Sequence, residues 1–331
     1  MSRVLVTGGA GYIGSQTVKE LLAKGYEPVT LDDFSEGHRG AVPGGIVREG
    51  SLHDAAFVRR VLRDDGIDAV FHFAASCLVG ESVTDPAKYY RNNLGASIVL
   101  LDAMRDAGVT KMIFSSTCAT YGDPVEVPMT ERHPQSPVNP YGESKLAFER
   151  VLRDYAAAYG MRAVSLRYFN AAGADPSGEL GEDHHPETHL IPIVLAAALG
   201  KRSGVDVFGD DYSTPDGSCI RDYIHIVDLA LAHILALERL DAMPSFSAYN
   251  LGTGTGYSVF EVIRAAESVT KRAIPHSVAA RRAGDPAVLV AGAGRVAQEL
   301  GWSPKHSSLE EILETAWAWH RAHPDGYGRG V

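Results

Sequence analysis

The chain has 331 residues, 45% hydrophobic and 22% charged, with 34 Gly and 17 Pro; this is a folded, turn-rich composition that excludes collagen, coiled coil and disorder. Lys and Arg number 31 against 41 Asp and Glu, a net charge of −10 with no basic block, so no nucleic-acid partner is expected. Cys77, Cys118 and Cys219 form no C-x-x-C pair, the apolar run after Arg3 is too short for a signal-peptide core, and no stretch approaches the ~18 apolar residues of a membrane span, so a cytoplasmic protein is expected.

Val4-Leu5-Val6 reads as a strand and Ile13 to Leu22 as a helix, with Gly8, Gly9, Gly11 and Gly14 at the turn between them. The spacing fits both G-x-G-x-x-G (9, 11, 14) and G-x-x-G-x-x-G (8, 11, 14), a turn whose backbone can approach a pyrophosphate at the positive end of a helix. Asp32 closes the second strand, Val29-Thr30-Leu31, 32 − 14 = 18 residues after the last glycine. A carboxylate there accepts hydrogen bonds from an adenine ribose and repels a 2′-phosphate, so NAD is expected over NADP.

Ala69 to His72 is a third strand, and Ala87 to Ala107 a long helix opened by Asp85-Pro86 and stopped by Gly108. The strand Met112-Ile113-Phe114 runs directly into the hydroxyl-rich Ser115-Ser116-Thr117-Cys118-Ala119-Thr120. Ligands of parallel sheets bind at the carboxyl ends of strands, so a hydroxyl here borders the cleft. A helix through Lys145 to Tyr159 follows, with Tyr141 and Lys145 four residues apart, one above the other at about 5 to 6 Å between Cβ atoms. A phenol titrating at about 10 is a poor base at neutral pH, whereas an adjacent ammonium and a cationic nicotinamide both favour its phenolate. With the strand Ala163 to Leu166, the pattern is a doubly wound α/β fold, a parallel Rossmann sheet.

Beyond about Asn170 the texture changes to loops rich in Gly, Pro, Asp and His, with helices expected at Ile226 to Arg239, Val259 to Val269 and Leu309 to Ala322. Ser308 and Glu311 have capping-box spacing. Two regions are expected, 1–170 binding the dinucleotide and a smaller α/β region 171–331 interleaved with it. His185 and His189 lie four apart in Asp183 to His189, but Pro186 opposes a helix carrying both, so a substrate loop is expected here and no metal. The Trp317, Trp319 and His320 group reads as a packing face.

The chain resembles the extended short-chain dehydrogenase/reductase superfamily, and within it the enzymes that interconvert UDP-hexoses at C4. The resemblance runs through TGGAGYIGS at Thr7, LDD at Leu31, FHFAA at Phe71, VGESV at Val79, YYRNN at Tyr89, FSSTCATYG at Phe114, SPVNPYGESK at Ser136, LRYFNAAGA at Leu166, RDYIHIVDLA at Arg221, YNLGTG at Tyr249 and RRAGD at Arg281. It implies Tyr141 as base, Lys145 as its charged neighbour on the nicotinamide ribose, and Thr117 as the hydroxyl partner where many relatives carry Ser. The implied cofactor contacts are Gly8, Gly11, Tyr12, Ile13, Gly14, Asp32, Ser51, Leu52, Phe73, Ala74, Ala75, Asn92, Ser115, Tyr168 and Phe169, besides Tyr141 and Lys145. The implied substrate contacts are Thr117, Asn170, His189, Leu190, Phe208, Arg221, Arg282, Asp285 and Leu289, two arginines suiting a diphosphate.

The implied activity is inversion at C4 of a UDP-hexose through a transient 4-keto sugar with NAD retained, in a homodimer joined through Ala87 to Ala107 and Lys145 to Tyr159. Cys77 replaces a lysine near the cofactor phosphates, Ser51 an aspartate beside adenine, and Leu289 a bulky tyrosine near the sugar pocket, the last leaving room for a 2-acetamido group. His189 stands where some relatives carry Asn on the uridine side. Cys118 and Ala119 stand where a 4,6-dehydratase needs an acidic pair, which argues against dehydration. Epimerases preferring UDP-GlcNAc, UDP-glucuronate or a UDP-pentose remain alternatives, and a non-enzymatic NAD-binding regulator would be expected to lack Tyr141, Lys145 or the Thr117 hydroxyl.

Overall fold

The computed structural model describes residues 2–282 and 284–328. Strand and helix alternate from the start: β1 (Arg3–Thr7), α1 (Tyr12–Ala23), β2 (Glu27–Asp32), β3 (Ile46–Glu49), α2 (Ala55–Asp64), β4 (Ala69–His72) and short helices α3 (Val79–Thr84) and α4 (Pro86–Tyr89). Then come α5 (Ser97–Ala107), β5 (Lys111–Thr117), α6 (Pro140–Tyr159), β6 (Arg162–Tyr168), β7 (Asn170–Ala172), α7 (Leu190–Ala198), β8 (Val205–Phe208) and β9 (Ile220–His225). The chain continues through α8 (Ile226–Arg239), β10 (Phe246–Leu251), β11 (Gly256–Ser258), α9 (Val259–Thr270), β12 (His276–Ala279), β13 (Val288–Leu289), α10 (Gly294–Leu300) and α11 (Leu309–Ala322).

Seven strands form one wholly parallel sheet in the order β10-β6-β5-β4-β1-β2-β3. The central strands β1, β4 and β5 are apolar through Val4–Val6, Ala69–Phe71 and Met112–Phe114 because both faces are covered. Leu5, Val29, Val70 and Met112 pack with Leu100, Leu101, Phe148 and Leu152 on one face; Val4, Val6, Phe71 and Ile113 pack with Val18, Leu21 and Leu229 on the other. Successive residues of β1 therefore point to opposite cores. The expected doubly wound sheet is the observed one, and its strand order reverses at β1, beside which β4 lies.

Elements from beyond residue 170 enter the first sheet and its cores. β10 pairs with β6 from Phe246↔Ala163 to Leu251↔Tyr168, and α8 packs on the face that also holds α1. Without β10, β6 would expose a row of unpaired backbone groups, so the second half of the chain completes the first sheet. The remaining elements form a smaller unit: β9 pairs with β7, β11 and β13, β8 pairs with β12, and α7, α9 and α11 share a core of Ile191, Val194, Leu195, Val262, Ile263, Ile312 and Leu313.

The helix expected over Ala87 to Ala107 is interrupted. Asp85 caps its start, accepting from the Lys88 N–H at 3.2 Å, and Gly108 ends it at φ 74°, but Tyr90–Ala96 is π-helical. Asn92 and Asn93 sit in that wider turn, a feature that often marks functional sites. The Ser308 cap is half a capping box, because Glu311 turns to Nδ1 of His306 at 2.7 Å; Ser258 and Glu261 make the full one. Among the described residues no helix is long and apolar enough to cross a membrane.

Candidate active site

The turn after β1 runs directly into the N-terminus of α1. Gly8 has φ 71°, and a Cβ there would lie 2.6 Å from the Ala74 amide nitrogen, so only glycine lets the turn approach the segment after β4 so closely. Gly11 is the N-cap of α1 without a side-chain cap, no acidic residue stands in the first turn, and Tyr12, Ile13 and Gly14 begin the helix. The orphan amides of that positive helix end suit a pyrophosphate. Tyr12 leans away through its hydroxyl, which donates to the Gly173 carbonyl at 2.6 Å.

Asp32 ends β2 beside this turn. Its carboxylate accepts from the Ala10 N–H at 3.0 Å and the Phe34 N–H at 2.9 Å, so it also shapes the glycine loop, a role the spacing alone did not disclose. Burial raises its pKa above the usual carboxylate range, against the pull of those two amides. Each oxygen keeps a second lone pair for a ribose hydroxyl. Gly50 donates its N–H to the Asp32 carbonyl at 3.0 Å, bringing Ser51 and buried Leu52 to the same end of the sheet.

Across the crevice, Phe73 and Ala74 both donate N–H to the Thr7 carbonyl, at 2.9 and 3.1 Å, and Ala75 follows. The segment is then fixed by Asn93, whose amide accepts from Ser76 N–H and donates to Ser76 O, both at 2.9 Å, and donates to Ser144 Oγ at 3.2 Å. Asn92 donates to Ser76 Oγ at 3.1 Å. Sequence reasoning missed Ser76, Asn93 and Ser144; the signal was an Asn-Asn pair with Gly95 inside an otherwise helical stretch.

Asn139 caps α6 by accepting from the Gly142 N–H at 2.8 Å, and Pro140 occupies its first turn. A Cβ on Gly142 would lie 2.4 Å from the Ala119 carbonyl, so the helix start is pressed against the turn after Thr117. Tyr141 and Lys145 thus stand on successive turns beside the end of β5. The Lys145 ammonium is buried, donates to the Ser115 carbonyl at 3.0 Å and lies 5.0 Å above the Phe114 ring. Burial lowers it to about 8, with Cys77 and Glu149 pulling the other way. Burial also pushes the Tyr141 phenol well above its usual 10, Tyr168 and Cys77 adding to the rise and the Thr117 hydroxyl opposing it. Desolvation within the chain itself is the largest cause of that rise, and the Lys145 hydrogen bond is directed to Ser115.

Thr117 Oγ1 accepts from the Ala119 N–H at 3.1 Å, leaving its own proton to donate. Ser115 Oγ hydrogen-bonds the Tyr168 hydroxyl, and Phe169 follows at the end of β6. Beneath them runs a buried chain: Ser116 Oγ donates to Glu149 at 2.5 Å, Glu149 pairs with Arg167, Arg167 donates to the Tyr121 hydroxyl at 3.0 Å, and that hydroxyl donates to Asn250 at 2.6 Å. It too was missed, though a charge inside the apolar run Ala163 to Phe169 was its visible mark.

The second region meets this end of the sheet. Asn170 donates to the Asp222 carbonyl at 2.8 Å, His189 is the N-cap of α7 and Leu190 its first residue. Arg221 on β9 pairs with Asp285, and the Arg282 guanidinium lies 3.9 Å over the Phe208 ring. Leu289 stands opposite Arg221 in the register of β13 with β9, and packs with Cys118 against a cluster of Tyr121, Met129, Phe169 and Ala291. The same cluster thus takes side chains from β13 and from the turn that follows Thr117. In the Asp183–His189 segment it is His184, not exposed His185, that turns inward, joining His189, Glu182 and Glu187.

A family model described as the NAD dependent epimerase/dehydratase family matches residues 4–252. A UDP-glucose 4-epimerase of Lacticaseibacillus casei is 51% identical over 326 residues, covering 98% of each chain. The crystal structure of UDP-glucose 4-epimerase from Brucella ovis in complex with NAD is similar at TM-score 0.93 and 52% identity, over 96% of this chain and 98% of that one. That of UDP-glucose 4-epimerase from Bifidobacterium longum in complex with NAD+ and UDP is similar at TM-score 0.93 and 42% identity, over 98% of this chain and 100% of that one.

Proposed function

The chain belongs to the NAD dependent epimerase/dehydratase family, and we propose on that premise that it interconverts UDP-glucose and UDP-galactose by inverting C4, with NAD held throughout. The observation that carries the reading is the convergence of Tyr141, Lys145 and Thr117 at the carboxyl end of β5, where the start of α6 is pressed against the turn after Thr117.

When bound, NAD supplies the acceptor and donor of the C4 hydride, and its oxidised ring adds a positive charge beside the phenol. The chain's own residues do the rest. The turn from Gly8 to Gly14 would hold the pyrophosphate, Asp32 the adenine ribose, Ser51 and Leu52 the adenine side, and Phe73, Ala74, Ala75, Asn92, Ser115, Tyr168 and Phe169 the walls. Tyr141 takes the proton of the sugar 4-hydroxyl as C4 loses its hydride and the C4=O bond forms, and returns it when the hydride comes back to the opposite face. Lys145, fixed by Ser115, keeps positive charge near that oxygen, and Thr117 donates its free proton to O4. The result has no net redox change.

Turning the 4-keto sugar over requires a firm hold on UDP and a loose one on the hexose. Arg221, Arg282 and Asp285 suit the diphosphate, and Asn170, His189, Leu190 and Phe208 the nucleoside side. A second reading, turnover of UDP-GlcNAc, is favoured by Leu289: a branched aliphatic at this point leaves space that a tyrosine would fill. We further assign the protein to galactose metabolism in the cytoplasm and to a homodimer through Ala87 to Ala107 and Lys145 to Tyr159, stretches already joined by the 3.0 Å bond from the Tyr155 hydroxyl to Asp102.

Incubation with UDP-galactose, UDP-GlcNAc and UDP-glucuronate in turn, with products identified by NMR and NAD assayed on the protein, tests the reading. UDP-glucose should form from UDP-galactose at catalytic rates without free NADH. Stoichiometric NADH release, or no inversion of any of the three, would overturn it.

A further inference from the structure

We propose that Glu182, His184, Glu187 and His189 form a site for one divalent cation of the zinc class, which clamps the loop between β7 and α7. One donor atom from each of the four lies within 4.8 Å of all the others. Nδ1 of His184 and Nδ1 of His189 both converge on the same oxygen of Glu182, the former at 3.2 Å and the latter hydrogen-bonded to it. Glu187 closes the group, with one oxygen 3.7 Å from Nδ1 of His184 and the other 3.9 Å from Nδ1 of His189. Zn–N and Zn–O bonds of about 2.1 Å in a tetrahedron put neighbouring donors about 3.4 Å apart, so an ion fits with small side-chain shifts.

The chemistry of the donors selects the ion. Two imidazoles and two carboxylates balance a dication, and imidazole suits zinc rather than calcium or magnesium, which take oxygen cages. Glu182 is the anchor: its side chain is only 4% exposed, an arrangement a carboxylate rarely adopts without a counter-charge. Outer contacts orient the donors as in metal sites generally. Glu187 accepts from the N–H groups of Thr188 and His189 at 2.7 and 2.8 Å, and the His184 ring stands edge-on to Tyr12.

Pro186 opposes a helix bearing His185 and His189, but the structure has no such helix. The pair that meets is His184 and His189, on a turning loop, so the objection does not apply. The ion would tie Tyr12 at the start of α1 to His189 at the start of α7, joining the proposed dinucleotide side to the proposed substrate side. The inference does not depend on the reaction catalysed.

The test uses tag-free, full-length protein. Elemental analysis after desalting should find one equivalent of zinc per chain, a strong chelator should remove it, and ZnCl2 should restore it and raise the melting temperature. In competition with a chromophoric chelator, His184→Ala and Glu187→Gln should weaken zinc binding by about 100-fold or more, whereas His185→Ala should not, its side chain being 81% exposed and outside the cluster. Co2+ added to the chelated wild-type protein should give visible d–d bands of a four-coordinate site, a readout independent of whether the variants fold. Sub-stoichiometric zinc, affinity no higher than that of His184→Ala, or no such cobalt bands would show that protons alone hold the four side chains together and would overturn the proposal.

Discussion

The buried ammonium of Lys145 donates to the carbonyl oxygen of Ser115, 3.0 Å away on the strand beside its helix. One carbonyl does not offset the desolvation of the charge, and the pKa falls from 10.5 to about 8. Below about pH 8 the folded protein carries the full cost of burying it; between about 8 and 10.5 the unfolded chain binds more protons than the folded one, so stability rises with pH. In protein freed of nucleotide, Lys145→Met should gain on the order of 3 kcal/mol at pH 7, from (10.5 − 8) × ~1.36, while losing turnover. Urea melts at pH 7 and pH 10 measure this; the gap should close at the higher pH, and a Lys145→Met protein less stable at pH 7 would contradict the argument.

Glu149 and Arg167 form a buried pair with side chains 1% and 3% exposed. Removing one charge leaves the other without its partner, so Glu149→Gln should cost about 3–5 kcal/mol in denaturant titrations. Glu149→Leu combined with Arg167→Leu should cost less than the sum of the two single changes. Strict additivity would mean that the pair is not coupled.

Asp32 holds two loop amides and, in the proposed function, would accept from the adenine ribose. Asn keeps the shape but turns an N–H toward one of those amides and removes the charge. Asp32→Asn should lower NAD affinity by about 10- to 100-fold, since hydrogen bonds to charged groups contribute ~1.5–3 kcal/mol, and should leave UDP affinity nearly unchanged. Isothermal titration with each ligand reads both, and equal losses would point to general unfolding of the loop.

Leu289 and Cys118 both pack against the cluster of Tyr121, Met129, Phe169 and Ala291. Leu289→Tyr should lower kcat/KM for UDP-GlcNAc by about 10- to 200-fold relative to UDP-glucose, the range that pocket size alone supplies. A wild-type enzyme with no activity on UDP-GlcNAc would remove the basis of the second reading.

Much of this was legible because it is local. The strand–glycine–helix turn and the Tyr141/Lys145 spacing each lie within a few residues, Asp32 follows at the end of the very next strand, and Leu309–Ala322 begins and ends where its cap and periodicity place it. What was hidden is non-local. β10 joins β6 across about 80 residues of sequence, and no periodicity announces which edge a late strand will complete. Asn92 and Asn93 look like poor helix formers until Ser76 and Ser144 arrive from other segments to bind them. At Tyr141, spacing shows a neighbouring charge, whereas burial, the largest cause of its raised pKa in the chain itself, depends on everything packed around it.

The central claim is that the Tyr141 oxygen carries the proton of the sugar 4-hydroxyl. The direct measurement is steady-state conversion of UDP-galactose by Tyr141→Phe, with bound NAD quantified in the same preparation. Full NAD content with kcat lowered by about 10²- to 10⁴-fold, the range of a positioned acid–base group, is the expected result. Near-native kcat in protein that retains its NAD would contradict the account.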